Sequence, residues 1–437
     1  MNTVPPSPER DRWRALRPLV HRDFRILFGA VVLSISAAGM WAVVMVYAVI
    51  RISDDPVQLS IVAAANAVGL LACAIPGGIA ADRLPRRLIL RAVETANVLA
   101  IGSVIIAGQL GALTIGHLAL VSLVLGAGAG FFFPSYSAIL PRILPTEHLL
   151  PANGLEGAVR PALQQAAGPA MAGLLLAALI PSQAAIAVLV AHALALVLLL
   201  FLRPEPAAMS ADAGGDVSAT ARSIRHDLVE AVSFTVRTPW LLWTLLFATI
   251  WVLVTMGPEE VLLPFVTRER FGADPRLFGF LLACFGVGGV VGSIVVSSLR
   301  MPRRYLTAMT LVWGVSTLPF VVIGLTHQYW LMAVSGFACG FGFSYGNVIW
   351  GTLLQRRVPR HMLGRISSLD FFVSLALMPI SMALAGPLST VVPIPVIFVV
   401  AGVVPFVLSL VVIWLARMPH DEIAHPLEEH HRTDVTP

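Results

Sequence analysis

Apolar runs of about 20 residues or more, separated by short polar breaks, recur along the whole 437-residue chain. About 20 helical residues are needed to cross a hydrocarbon core of about 30 Å. In hydrocarbon only helices or closed barrels satisfy every backbone donor and acceptor, and these runs are continuous rather than alternating. Charged residues make up 12% of the chain and mean hydropathy is +0.84, whereas a soluble domain carries about 25% charged residues. The expected fold class is an all-α integral membrane protein whose first partner is the lipid bilayer.

Twelve spans are expected, at 26–50, 57–81, 88–108, 115–139, 155–180, 184–202, 240–265, 276–299, 305–326, 329–351, 366–391 and 393–416. The first is too long for a cleaved signal peptide and follows an Arg-rich stretch, so it is expected to remain as a helix. The pattern divides the chain into an N-terminal segment (1–25), a six-helix half (26–202), a linker (203–239), a second six-helix half (240–416) and a polar tail (417–437). Pro204 to Thr220 has flexible-linker composition. Ala221 to Val236 sets Ile224, Leu228, Ala231, Val232 and Val236 opposite Arg225, Asp227 and Glu230, the pattern of a helix lying on the membrane surface.

All 29 basic residues are Arg. The termini and even-numbered loops, with their flanks, hold 24 of them; the odd-numbered loops hold Arg51, Arg268, Arg270 and Arg276, and Arg160 lies in a span. This asymmetry predicts both termini in the cytoplasm of a multi-pass plasma-membrane protein. The net charge of +5 then reflects topology and not nucleic-acid binding.

Cys73, Cys284 and Cys339 are scattered through apolar spans and form no disulfide or metal framework. No cofactor or metal is expected; the tail histidines read as part of a solvated segment. Gly342-Phe343-Ser344-Tyr345-Gly346 fits a hydrolase nucleophile pattern, but that pattern works on a strand-to-helix elbow and here falls in a membrane helix. A phosphate loop requires Lys, and the chain has none. The chain therefore reads as a non-enzyme that does not hydrolyse ATP.

Residues 78 to 87, Gly-Ile-Ala-Ala-Asp-Arg-Leu-Pro-Arg-Arg, put a cationic knot between two apolar runs, and its second half recurs as Arg300-Met301-Pro302-Arg303-Arg304. The copies lie 217 positions apart (300 − 83), so the chain reads as one half written twice. Gly78 to Arg87 resembles the cytoplasmic loop signature of the major facilitator superfamily: Gly, three residues, Asp, Arg, two residues, two basic residues. Phe24-Arg25, Phe132-Phe133-Pro134, Leu140-Pro141-Arg142, Ala152-Asn153, Gly168-Pro169 and Gly364-Arg365 resemble its drug-exporter branch, which contains macrolide efflux and enterobactin export proteins. Pro85 departs from the signature, standing where many members have Gly.

The resemblance implies two pseudo-symmetric six-helix bundles that rock about a central cavity lined by helices 1, 4, 7 and 10. It also implies that the loop after helix 2 abuts helix 11 and the loop after helix 8 abuts helix 5. Aligning Pro145 with Pro359 brings Glu156 onto Asp370. Two cytoplasmic latches are expected: Arg83, Arg86 or Arg87 with Asp370, and Arg300, Arg303 or Arg304 with Glu156. Gly78 belongs to the first, and Asp82 would reinforce it by accepting from the helix 11 N-terminus; Leu299 stands in the second copy. The alternative is that these arginines only hold topology. Glu94 and the Glu156/Arg160 pair either extend this network or neutralise charge locally.

Charges inside a span are costly and kept for use. Glu259 and Glu260, beside Pro258, are the proton-coupling candidates, aimed at the cavity by a break in helix 7; the alternative is that they face outer water. His192 reads as packed and hydrogen-bonded, and His117 as lying at the outer surface. Ser122 stands where many proton-coupled drug exporters carry an Arg. Met40, Trp41, Met45, Trp251, Thr255, Met256 and Asn347 are the substrate-cavity candidates, suited to bulky amphiphiles. Gly288/Gly292, Gly336/Gly340 and Gly342/Gly346 have the spacing for close helix packing.

These features describe a monomeric secondary transporter that exports hydrophobic or amphiphilic small molecules, of drug or siderophore type, against protons. The alternatives are an importer or lipid flippase on the same fold, and a non-transporting membrane sensor or assembly partner.

Overall fold

The computed structural model describes residues 14–203, 229–299, 301–359 and 362–427. Arg300, linker residues 204–228 and the tail from 428 lie outside the described residues, and so does the side chain of Asp82. Twelve long helical rods are present among the described residues. The first half holds α1 (Arg22–Ile52), α2 (Pro56–Arg83), α3 (Arg86–Gln109), α4 (Ile115–Ile143), α5 (Thr146–Arg160, Pro161–Ala167 and Gly168–Leu176) and α6 (Pro181–Leu200). The second holds α7 (Pro239–Gly257, Pro258–Leu262 and Leu263–Phe271), α8 (Pro275–Ser298), α9 (Tyr305–Val315 and Pro319–Leu325), α10 (Tyr329–Arg357), α11 (Leu363–Leu375 and Met378–Val391) and α12 (Ile394–Leu415). A short α13 (Met418–Ala424) closes the described chain.

Ten of the rods are long and apolar enough to cross a membrane. The other two are α5, which a wide turn divides, and α10, which glycines and Ser335, Ser344, Tyr345 and Asn347 make less apolar. Each expected span falls within a rod or within a few residues of it. The even number of rods puts both described ends at one face, here called the basic face, together with the Arg83–Arg87 turn. At the opposite face the turns are short and capped: Asp55, Thr114 and Asp274 accept from the first amides of α2, α4 and α8.

Two rods contain π-helical turns, at Pro161–Ala167 in α5 and Pro258–Leu262 in α7. Proline supplies no N–H, so Pro169 and Pro264 each leave the carbonyl four residues earlier without its helical donor. The ladder widens instead: the Gly168 amide donates to Leu163 and the Leu263 amide to Pro258, each five residues back.

Within the first bundle α2 packs along α4, and α3 and α6 pack together beside α1; within the second, α8 packs along α10. The α8/α10 contact depends on the glycine spacing expected from the sequence. A Cβ at Gly288 would run into the Phe337 backbone, and one at Gly340 into that of Phe285.

The bundles meet along two pseudo-symmetric seams, α2 with α11 and α5 with α8. In both, the opposite-face half carries the packing. Met378–Val391 lies on α2, while Leu363–Leu375 packs on Pro239–Gly257 of its own bundle. The π turn and Gly168–Leu176 lie on α8, while Thr146–Arg160 packs on the 3-10 turn Arg14–Val20. The seams are thus closed at the opposite face and parted at the basic face.

A short helix over 229–237 leads into α7. Ala231 and Thr235 are buried against the second bundle, Val232 and Val236 are exposed, and Glu230 pairs with Arg365. The apolar face expected here is therefore split between protein and surroundings.

Candidate functional site

A cavity of about 340 Å³ lies between the bundles at mid-height. Its polar wall belongs to the first bundle: Ser34 of α1, Asn66 of α2, Asn97 of α3, Ser122 of α4, Gln164 of α5 and His192 of α6. Asn97 Oδ1 and Ser122 Oγ are buried and have no hydrogen-bond partner among the described residues. Burying such groups unpaired costs about 1–3 kcal/mol each, so a guest or water that bonds to them gains what the protein forgoes. The apolar wall is built from Trp41, Met45, Phe132, Phe133, Met378 and Met382. No Arg is among the described residues that line it.

Two acidic centres serve this space. Glu260 sits on the π turn of α7, lines the cavity and is exposed to it; Glu259, next to it, is half-buried. The second centre is buried in the first bundle. Glu94 of α3 is fully buried, its Oε2 lies 2.7 Å from His192 Nδ1, and its Oε1 accepts from Ser34 Oγ at 2.7 Å. An isolated charge at mid-membrane costs about 2.5–3.5 kcal/mol by insertion scales, and these two partners offset that cost. The expected packed histidine is thus the partner of a carboxylate 98 positions earlier.

At the basic face both acidic latch residues are bonded within their own bundles. Asp370 accepts from Trp350 Nε1 at 3.0 Å and from Ser374 Oγ at 3.2 Å. Glu156 pairs with Arg160, whose guanidinium also lies 4.3 Å over the Phe133 ring. Arg86 is buried, Arg87 half-buried, and Arg83, Arg303 and Arg304 exposed. Gly78 faces open space. At the opposite face Asp54 pairs with Arg268 across the bundles, and the Gly386 amide donates to Ser60 Oγ at 2.7 Å.

The family described as transmembrane secretion effector matches residues 14–435. The chain belongs to this family of major facilitator transporters. It is similar to the multidrug efflux pump Tap of Mycolicibacterium fortuitum, 25% identical over 409 residues, covering 91% of this chain and 97% of that one. It is also similar to the uncharacterized MFS-type transporter YfiS of Bacillus subtilis, 25% identical over 391 residues, covering 86% and 90%. Among solved structures, the nucleoside transporter NupG (TM-score 0.67, 10% identity, 89% and 99% covered) shares the fold. So does a D-xylose-proton symporter (TM-score 0.67, 13% identity, 90% and 99% covered).

This major facilitator protein is a transporter rather than an enzyme, and Ser344 of the hydrolase-like pattern sits inside the α10 rod. Of the seven expected cavity residues, Trp41 and Met45 line the cavity. Met40 and Thr255 are buried in helix packing, the latter donating back to the Trp251 carbonyl. Trp251 is buried and stacks on Phe343, with ring centroids 5.1 Å apart. Met256 is half-buried against the second bundle's core and Asn347 is exposed. Rods apolar on every side carry no periodic mark of which face meets the cavity. His117 bonds to Ser103 near the opposite face.

Sequence reasoning missed Asn66, Asn97 and Gln164. Their signal was available, since each is an uncharged amide inside an apolar run.

Proposed function

We propose that the protein exports hydrophobic or amphiphilic small molecules across the plasma membrane, exchanging them for protons by alternating access. The observation that carries this reading is the cavity: apolar walls, a polar patch on one side, Glu260 within reach, closed at one face and parted at the other. Positive charge at the termini and even loops supports a cytoplasmic basic face; on that reading this is the inward-facing state, ready to load cargo from inside. A bulky amphiphile fits walls of Trp, Phe and Met, whereas a sugar or phosphate would need many more fixed donors. The name of the Tap relative, an efflux pump, supports the direction.

In the outward-facing state Asp370 exchanges Trp350 and Ser374 for Arg83, Arg86 or Arg87. Glu156 likewise turns from Arg160 to Arg300, Arg303 or Arg304. Glu260, with Glu259 behind it, takes up the coupling proton as cargo leaves.

The test is uptake of a panel of fluorescent amphiphiles into inverted vesicles under an imposed pH gradient. Gradient-dependent accumulation of at least one dye, lost in Glu260→Gln, is the expected result. Accumulation that ignores the gradient, or none with any dye, would overturn proton-driven export.

A further inference from the structure

We infer that Glu94 and His192, keyed to α1 by Ser34, form a second proton-binding site of this transporter, one that reports its occupancy to the seam between the bundles. The inference rests on the proton-driven reading above for its use, though not for its existence.

The pair joins three helices. Glu94 comes from α3, His192 from α6 and Ser34 from α1. Glu94 is fully buried and His192 nearly so, yet His192 and Ser34 both belong to the cavity wall, so a proton from cavity water has a path of one residue. With one proton the pair is neutral overall, as imidazolium and carboxylate or as acid and imidazole. Removing that proton leaves a net negative charge in a buried site, and adding another leaves a net positive one.

The charged and titratable surroundings are sparse. Arg91, one turn toward the basic face on α3, is committed to the carbonyls of Leu199, Leu200 and Leu202. From α4 the nearest such groups are Tyr136 toward the basic face and His117 toward the other, from α5 the Glu156/Arg160 pair, and across the cavity Glu260. On α1 the hydrogen-bonding partner is Ser34.

Ser34 is what makes the site mechanical. Its hydroxyl donates to Glu94 Oε1, a bond roughly twice as strong to a charged carboxylate as to a neutral acid. Gly39, further along α1, packs on the Leu163 and Gln164 carbonyls of the α5 π turn, and that turn packs on α8 across the seam. A proton on Glu94 thus weakens the tie to α1, the helix that braces a gate helix.

The test is pH-difference infrared spectroscopy of the full chain in lipid vesicles. A coupled carboxyl and imidazole step is expected, lost in both Glu94→Gln and His192→Asn and kept in Glu260→Gln; a step unchanged in Glu94→Gln overturns the site. Ser34→Ala keeps both groups, and loss of its donor should shift the carboxyl stretching band of the step. An unshifted band overturns the link to α1. Ethidium uptake into inverted vesicles is read in parallel. An intact infrared step without uptake leaves the site standing and sinks the export reading. Uptake by Glu94→Gln that matches the unaltered protein sinks its role in coupling.

Discussion

Asp54, in the turn after α1, pairs with Arg268 near the far end of α7, so residues 214 positions apart tie the two bundles at the opposite face. The pair is exposed at the Asp54 end and is expected to bias, rather than set, the closed state. Arg268→Ala should raise the population open at that face by at most about fivefold, read as spin-label distances between Leu110 and Leu325. Arg268 also holds Asp54 below its usual range, mainly by hydrogen bonding to it. A depressed carboxylate contributes to the paired state above its unpaired value, about 3.9, and stops contributing as pH falls through the depressed one. The contribution of this pair to closure is therefore expected to be flat around neutral pH and to weaken only in acid.

Gly386 gives a stronger lever on the same face. A Cβ there would overlap the Pro56 carbonyl and Ser60 of α2, and overpacking of this kind costs about 1–3 kcal/mol. Gly386→Val should open the opposite face and lower transport by roughly tenfold or more while leaving each bundle folded. The checks are the same label distances and an unchanged helical circular dichroism spectrum.

The latch at the basic face is tested by exchange. Arg87→Asp and Asp370→Arg are each expected to cut gradient-driven dye uptake by about tenfold, and the double exchange to restore a substantial part of it. Failure of the exchange to recover anything would remove direct pairing from the cycle.

Trp41 and Trp251 should part company on substitution. Trp41 lines the cavity and is also buried in the core, so Trp41→Ala is expected to raise the KM for a transported dye by about tenfold as well as to lower stability, whereas Trp251→Ala leaves the KM unchanged. Trp251 stacks on Phe343 within the second bundle, so Trp251→Ala should cost about 3–5 kcal/mol of stability. Dye-concentration series separate the two, and thermal unfolding in detergent reads the loss of stability.

The order of helices was legible because span length and Arg placement act locally: the run expected at 57–81 becomes Pro56–Arg83, and that at 393–416 becomes Ile394–Leu415. The irregularity in α7 falls where Pro258 marked it, but it is a π turn within a continuous rod rather than a break, set by the missing N–H of Pro264. Cavity faces were not legible. Trp251 and Trp41 look alike in the sequence, and only their neighbours separate them. Nor were Trp350 and Ser374 legible as the partners of Asp370, whereas the i, i+4 spacing of Glu156 and Arg160 marked their pairing.

The amino-acid sequence by itself determined an all-helical, lipid-embedded, twice-repeated chain, because hydrocarbon forces every backbone group into a helix and charge cannot stay within it without use. Tertiary structure alone decided that Glu94 meets His192, that Asp54 meets Arg268, and that the seams close at one face and part at the other. Such contacts join residues about a hundred or more positions apart. Their energies come from distance and burial, which exist only once the rods have packed.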